Sequence, residues 1–133
     1  MEQYCSATGL STLAKRQLSA SQAPSSLREL AKIMAKDVFD AAANGDAIAK
    51  AALEQYFAYL GEFLANLSCV IDPEVIVLGG GVCKAGKVLL DGIEPYFHKY
   101  VFHAASSVRF AIAELGNDAG AYGAFKLALD AFA

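Results

Sequence analysis

Asp72-Pro73-Glu74-Val75-Ile76-Val77-Leu78-Gly79-Gly80-Gly81-Val82 is the stretch that decides the fold of this chain. A proline-initiated apolar run ends in three consecutive glycines. Val75 to Leu78 is too short and too apolar for a surface helix. It reads as a strand buried on both faces, the pattern of a parallel sheet flanked by helices. The glycines let the backbone turn sharply where the strand ends, and without a Cβ a ligand can approach the main chain closely. In open α/β sheets that edge, at the carboxyl ends of the strands, is where ligands bind. A tight strand-to-helix turn with no ligand is the competing reading of Gly79, Gly80 and Gly81. The pattern is neither GxGxxG nor a Walker loop, because no Lys-Ser or Lys-Thr follows it. Lys84 is a candidate phosphate contact, set against the reading of a lone solvated charge.

Upstream of this stretch the sequence reads as helices. Glu2 to Leu18 is expected to be helical, with Tyr4, Leu10, Leu13 and Leu18 as core contacts and Gly9 as a weak point. A polar connection with Pro24 follows. Ser26 and Glu29 have the spacing of a capping box and open a helix carrying Leu27, Leu30 and Met34. Val38 and Phe39 continue the apolar pattern as far as Asn44-Gly45, a stop signal. Whether Leu27 to Ala43 is one helix or two stays open. Asp46 caps the next helix, in which Leu53, Phe57, Leu60, Leu64, Leu67 and Ile71 form one apolar stripe, widened by Tyr56, Phe63 and Val70. Asp72-Pro73 ends it.

Downstream, Lys87 to Ile93 is expected to be helical, with a kink or a fresh start at Pro95. Val108 to Leu115 alternates apolar residues against Arg109, Ala111 and Ala113 and reads as a second strand. Gly116-Asn117-Asp118 turns the chain into a last helix, Ala119 to Phe132, with Asn117 or Asp118 as its N-cap. The small residues Ala119, Gly120, Gly123 and Ala124 suit that helix to close packing on another element. The order is thus helices, then β-α-β-α. Two strands make no stable sheet by themselves, so further strands are expected from elsewhere.

Composition narrows the function. With 133 residues the chain is one domain, and with 56% hydrophobic and 19% charged residues it is on the apolar side of ordinary. A net charge of −3 with no basic block argues against nucleic-acid binding through this chain. No run is of membrane-spanning length, and the start does not resemble a secretory signal, so a cytoplasmic protein is expected. Cys5, Cys69 and Cys83 lack CxxC spacing and read as structural thiols, Cys69 inside an apolar helix. His98 and His103 have no cluster of carboxylates or cysteines around them, and no metal site is expected there.

Four segments, in order and at natural spacing, resemble the ROK family (repressor, open reading frame, kinase), which includes bacterial glucokinases and N-acyl-hexosamine kinases. Glu2 to Gly9 is similar to the stretch after that family's cysteine cluster. Val38 to Asp46 resembles its VFxAAxxGD stretch, Asp72 to Val82 its DPxxIVLGGGV segment, and Leu115 to Ala124 its LGxxAGxxGA turn and helix. The resemblance covers nearly the whole chain and places it in the carboxyl-terminal half of the family. It implies an α/β fold: the helix-rich carboxyl-terminal part of an actin-like, ribonuclease-H-like ATPase, with sugar and ATP in the cleft between two domains. It implies that Glu2 accepts hydrogen bonds from sugar hydroxyls, which suits a carboxylate. Gly79, Gly80 and Gly81 would lie against the adenosine and phosphates of the nucleotide.

The chain also departs from the family pattern. It begins immediately before the matching glutamate. The amino-terminal phosphate loop, the aspartate base, the second Gly-Thr loop and the zinc-binding histidine and cysteines have no counterparts among its residues. Phosphoryl transfer depends on positioning and on charge stabilisation. The expectation is therefore residues 1–133 as a carboxyl-terminal domain fragment of an ATP- and Mg2+-dependent hexose kinase, inactive alone and without a zinc site. The sugar-sensing domain of a ROK transcriptional regulator and a non-catalytic oligomerisation module are the rival readings. Self-association, most simply as a two-fold dimer, is expected from the apolar composition and the incomplete sheet.

Overall fold

Among the described residues, two short parallel strands and six α-helices carry the fold. A computed structural model describes residues 2–103 and 106–132, with the side chains of Glu2 and Asn117 outside the description. The helices are α1 (Glu2–Cys5), α2 (Ala7–Ala20), α3 (Ala35–Ala43), α4 (Ala47–Ile71), α5 (Lys87–Tyr100) and α6 (Ala119–Phe132), and the strands are β1 (Val75–Leu78) and β2 (Arg109–Ile112). Among the described residues no helix is long and apolar enough to cross a membrane.

The first expected helix is broken at Ser6. Its hydroxyl accepts from the Gly9 N–H at 3.1 Å and so caps α2, while α1 folds back over Gly9, where a Cβ would stand 2.6 Å from the Tyr4 carbonyl carbon. Leu10, Leu13 and Ala14 enter the core, but Tyr4 is exposed. The second expected helix is a 3₁₀ turn, Ser26–Glu29, and Leu30 and Met34 are exposed. Ser25, not Ser26, accepts from the Leu27 N–H. The predicted capping box does not form, because both serines turn to Asp46: the Oδ2 of Asp46 accepts from Ser25 Oγ at 2.7 Å and from the Ser26 N–H at 2.9 Å.

Asp46 thereby does two jobs. Its Oδ1 accepts from the Ile48 and Ala49 N–H groups at 3.0 and 3.1 Å, capping α4 as expected. Partial desolvation disfavours its charge. The hydrogen bonds from Ser25, Ala49 and Ser26 together outweigh that cost and hold the carboxyl below its usual range. A carboxylate depressed in the folded state contributes stability that is present above its unfolded pKa and lost as pH falls through the folded value. Asp46→Ala should therefore lower stability at pH 7 by about 1 to 3 kcal/mol. In urea unfolding, the gap between mutant and wild type should narrow below about pH 4. A gap independent of pH would show that the carboxylate is not the stabilising form.

The buried face of α4 differs from the predicted stripe. Ala49, Ala52, Leu53, Tyr56, Leu60, Gly61, Leu64, Ala65 and Ser68 are buried, whereas Phe63, Leu67, Val70 and Ile71 are exposed. A straight helix drifts about 20° per heptad away from a strict seven-residue stripe. The small residues also draw the buried face toward the side where a neighbouring backbone can come close. Cys69 is exposed rather than structural, and its sulfur accepts from the Phe102 N–H at 3.3 Å. Asp72 ends α4 in the left-handed conformation, with φ +50°.

α5 lies along α4: the α5 backbone comes close at Gly61, and Gly92 makes room for the Phe57 ring. Of the kink or fresh start expected at Pro95, the fresh start does not occur. α5 runs through it as one helix, with Pro95 and Asp91, whose carbonyl loses its usual donor, both exposed residues. β1 and β2 pair in parallel, from Val75 against Arg109 to Leu78 against Ile112. Ile76, Leu78, Phe110 and Ile112 pack on the core, and Phe110 meets the fully buried Phe97 edge-to-face at 4.9 Å. The sheet is not covered on both faces as predicted, for Val77 is 60% exposed. β2 is shorter than the predicted Val108–Leu115. No residue of α6 is buried, and Gly120 and Gly123 have nothing within 4 Å of where a Cβ would stand. The predicted close packing of this helix therefore has no partner among the described residues.

Candidate nucleotide site

The glycines occupy the carboxyl end of β1, next to the carboxyl end of β2. Gly79 is close to the second strand: a Cβ there would lie 3.6 Å from the Ala113 Cβ. Gly80 has φ +88° and ψ −171°, a combination essentially confined to glycine. Its carbonyl accepts from the Cys83 N–H at 3.2 Å, closing the 3₁₀ turn Gly81–Ala85, and Gly86 at φ +57° launches α5. A Cβ at Gly80 or Gly81 would meet nothing within 4 Å, so both face open space.

Concavities open on either side of this turn. One, of about 530 Å³, lies between Gly80, Lys84 and the end of β2 from Ile112 to Gly116. The other, of about 210 Å³, is a mostly apolar slot between α3 and the turn, walled by Ala35, Phe39, Val82 and Ala85, with Lys36 and Asp40 at its rim. Lys84 lines both. A third cavity, of about 340 Å³, lies on the core side of the turn, against Tyr56 and the α1–α2 corner. An open concavity at Ser25 and Asp46 is distant in sequence from the glycines, and the Asp46 carboxylate is already committed to capping.

The structure thus brings Gly79, Gly80, Gly81 and Lys84 to one sheet edge. The backbone of Glu2 is in α1, and its side chain lies outside the described residues. His98 packs edge-on against Phe97. No group of three or more His, Cys, Asp or Glu side chains able to hold a metal occurs among the described residues. The contribution of α3 was missed from sequence. Val38 to Asp46 carried a family pattern, but nothing in its periodicity showed that Phe39 faces the glycine turn.

The family model for the ROK family matches residues 1–131. The chain belongs to the ROK family. It is 40% identical over 127 residues to a glucokinase of Halalkalibacterium halodurans, a match that takes in 92% of this chain and 38% of that enzyme. Its structure matches that of a ROK family glucokinase from Streptomyces griseus in complex with glucose and AMPPNP, with a TM-score of 0.82 and 30% identity, over 95% of this chain and 43% of that one. It also matches a ROK family transcriptional regulator, a homologue of the E. coli MLC protein, with a TM-score of 0.69 and 25% identity, over 84% of this chain and 28% of that one. The chain therefore spans about two fifths of the glucokinases it resembles. Its helix-rich architecture with two parallel strands is that of part of the ROK sugar kinases, which have the actin-like ATPase fold.

Proposed function

We propose that this ROK chain supplies the nucleotide-binding side of an ATP-dependent hexose kinase of glucokinase type, as the carboxyl-terminal part of the enzyme. The observation that carries the reading is the glycine turn at the ends of both parallel strands, with an apolar slot on one side and an open concavity on the other. The slot between Phe39 and Val82 suits a flat nucleobase. The bare backbone at Gly80 and Gly81 admits a phosphate chain, and Lys84 reaches it from the rim as a point charge. The AMPPNP bound by the Streptomyces griseus relative supports this assignment.

In this reading Glu2 accepts hydrogen bonds from hydroxyls of the sugar and orients it. Mg2+, when bound with ATP, neutralises charge on the phosphates. The residues of this chain bind and orient. No residue here matches the family's aspartate base or its amino-terminal phosphate loop, so the chain alone should bind nucleotide without turning over glucose.

Calorimetry with AMPPNP and Mg2+ tests this. Gly81 has open space where a Cβ would point and no left-handed φ, so Gly81→Ala should leave the melting temperature unchanged. Nucleotide affinity should fall at least about tenfold, or ~1.4 kcal/mol. Equal affinity in both proteins would remove the glycine turn from the site. The match to a regulator supports a second reading, a sugar-sensing domain. Glucose binding without nucleotide binding would favour it. Binding of neither, with concentration-dependent association by light scattering, would favour an association module.

A further inference from the structure

Cys5 and Cys83 are far apart in sequence but line the same cavity, the one of about 340 Å³ on the core side of the glycine turn. Both are free and partly buried. Each is held by its backbone. Tyr56, buried in α4, donates its hydroxyl to the Cys5 carbonyl at 2.9 Å and pins the end of α1. Cys83 is fixed in the turn through its N–H to the Gly80 carbonyl. The rest of the described lining is apolar or hydroxylic, with Leu60, Leu78 and Leu89 among it. Burial pushes the Tyr56 phenol up, and the two thiols add to the shift, so both lie within electrostatic reach of one hydroxyl. Burial raises both thiols, so each is mostly protonated at neutral pH and reacts through a small thiolate fraction. Cys69 is exposed on α4, about 20 Å along the helix from Tyr56 at 1.5 Å per residue.

We propose that Cys5 and Cys83 form a redox-sensitive dithiol that a peroxide closes to an intramolecular disulfide, tying the α1–α2 corner to the glycine turn. One thiol, as its thiolate, attacks a peroxide oxygen; the O–O bond breaks and a sulfenic acid and water form. The second sulfur then attacks the sulfenic sulfur, the S–S bond forms, and a second water leaves with the remaining thiol proton. Two thiols and one hydrogen peroxide become one disulfide and two waters, with sulfur oxidised and peroxide oxygen reduced. The inference stands on this cavity and does not depend on nucleotide binding.

The test treats the whole chain with hydrogen peroxide, alkylates the remaining thiols and maps peptides by mass spectrometry after chymotrypsin, which separates Cys69 from Cys83 at Leu78. A Cys5 peptide joined to a Cys83 peptide with loss of two hydrogens is expected, with Cys69 alkylated and the link reversed by dithiothreitol. Cys69→Ser should give the same link, since that residue is exposed and outside the cavity. Three alkylated cysteines, unlinked sulfinic acids at Cys5 or Cys83, or links formed only through Cys69 between chains would each overturn the proposal. The mapping needs no change at Cys5 or Cys83, so the folding of such variants does not enter.

Discussion

Gly61→Ala should lower the unfolding free energy of this chain by about 2 to 3 kcal/mol, the cost of overpacking a closed core. The direction is opposite to the general rule, since Gly to Ala within a helix ordinarily gains up to about 1 kcal/mol. At this position the added Cβ would stand 2.6 Å from the Tyr96 Cβ, 2.9 Å from the Phe97 nitrogen and 3.0 Å from the Ile93 carbonyl oxygen. Backbone atoms of α5 cannot rotate away. The whole helix must move, and Ile93 and Phe97, both fully buried, move with it. Urea unfolding at one pH measures the change directly. Gly92→Ala makes the comparison. Its Cβ would meet the Phe57 ring at 2.4 Å, and a ring can turn where a backbone cannot, so a smaller loss is expected. A Gly61→Ala protein as stable as wild type would show that α4 and α5 are not locked at this crossing.

Gly80→Val should impair both stability and nucleotide binding, through the backbone rather than through a collision. The Cβ itself would meet nothing within 4 Å. The cost comes from φ +88° with ψ −171°, a conformation closed to β-branched residues, and is about 1 to 3 kcal/mol. To relieve that strain the turn must rotate, and the Gly80 carbonyl loses its hold on Cys83. A lower melting temperature together with at least about tenfold weaker AMPPNP binding is the expected result. Gly81→Ala, free of the strain, separates the two effects. If Gly80→Val melted lower yet bound nucleotide as well as wild type, the turn would be structural and no part of the ligand site.

The site was more legible in the sequence than the packing around it. Val75–Leu78 as a strand, the glycines at its end, a second strand within Val108–Leu115 and the Asp46 cap are local features, written in a few adjacent residues. The misreadings concern relations between distant segments. Ser26 and Glu29 have the spacing of a cap, but the Ser26 hydroxyl and N–H both donate to Asp46, twenty residues on. Leu67 and Ile71 continue a stripe that turns away from the buried face, where Ala65 and Ser68 lie. Pro95 is tolerated because its side of α5 faces water. Phe39 takes part in the candidate site only because α3 packs beside the glycine turn, which no periodicity encodes. Cys5 and Cys83 looked unrelated until Tyr56 and the turn brought them to one cavity.

The fourteen-residue α6 carries Tyr122, Phe125, Leu129 and Phe132 three and four apart, all more than half exposed. A helix of that length with no buried residue is marginal in water, because the cost of nucleation is repaid by few hydrogen bonds. Its amide protons should therefore exchange with solvent deuterium on the timescale of helix–coil opening. Those of Tyr56 to Leu64, inside the core, should wait for global unfolding. Any surface that comes to cover the stripe must slow the α6 amides by the free energy with which it binds. The exchange rate of this one helix is thus a built-in gauge of occupancy on that face, readable without a label and without knowing in advance what the occupant is.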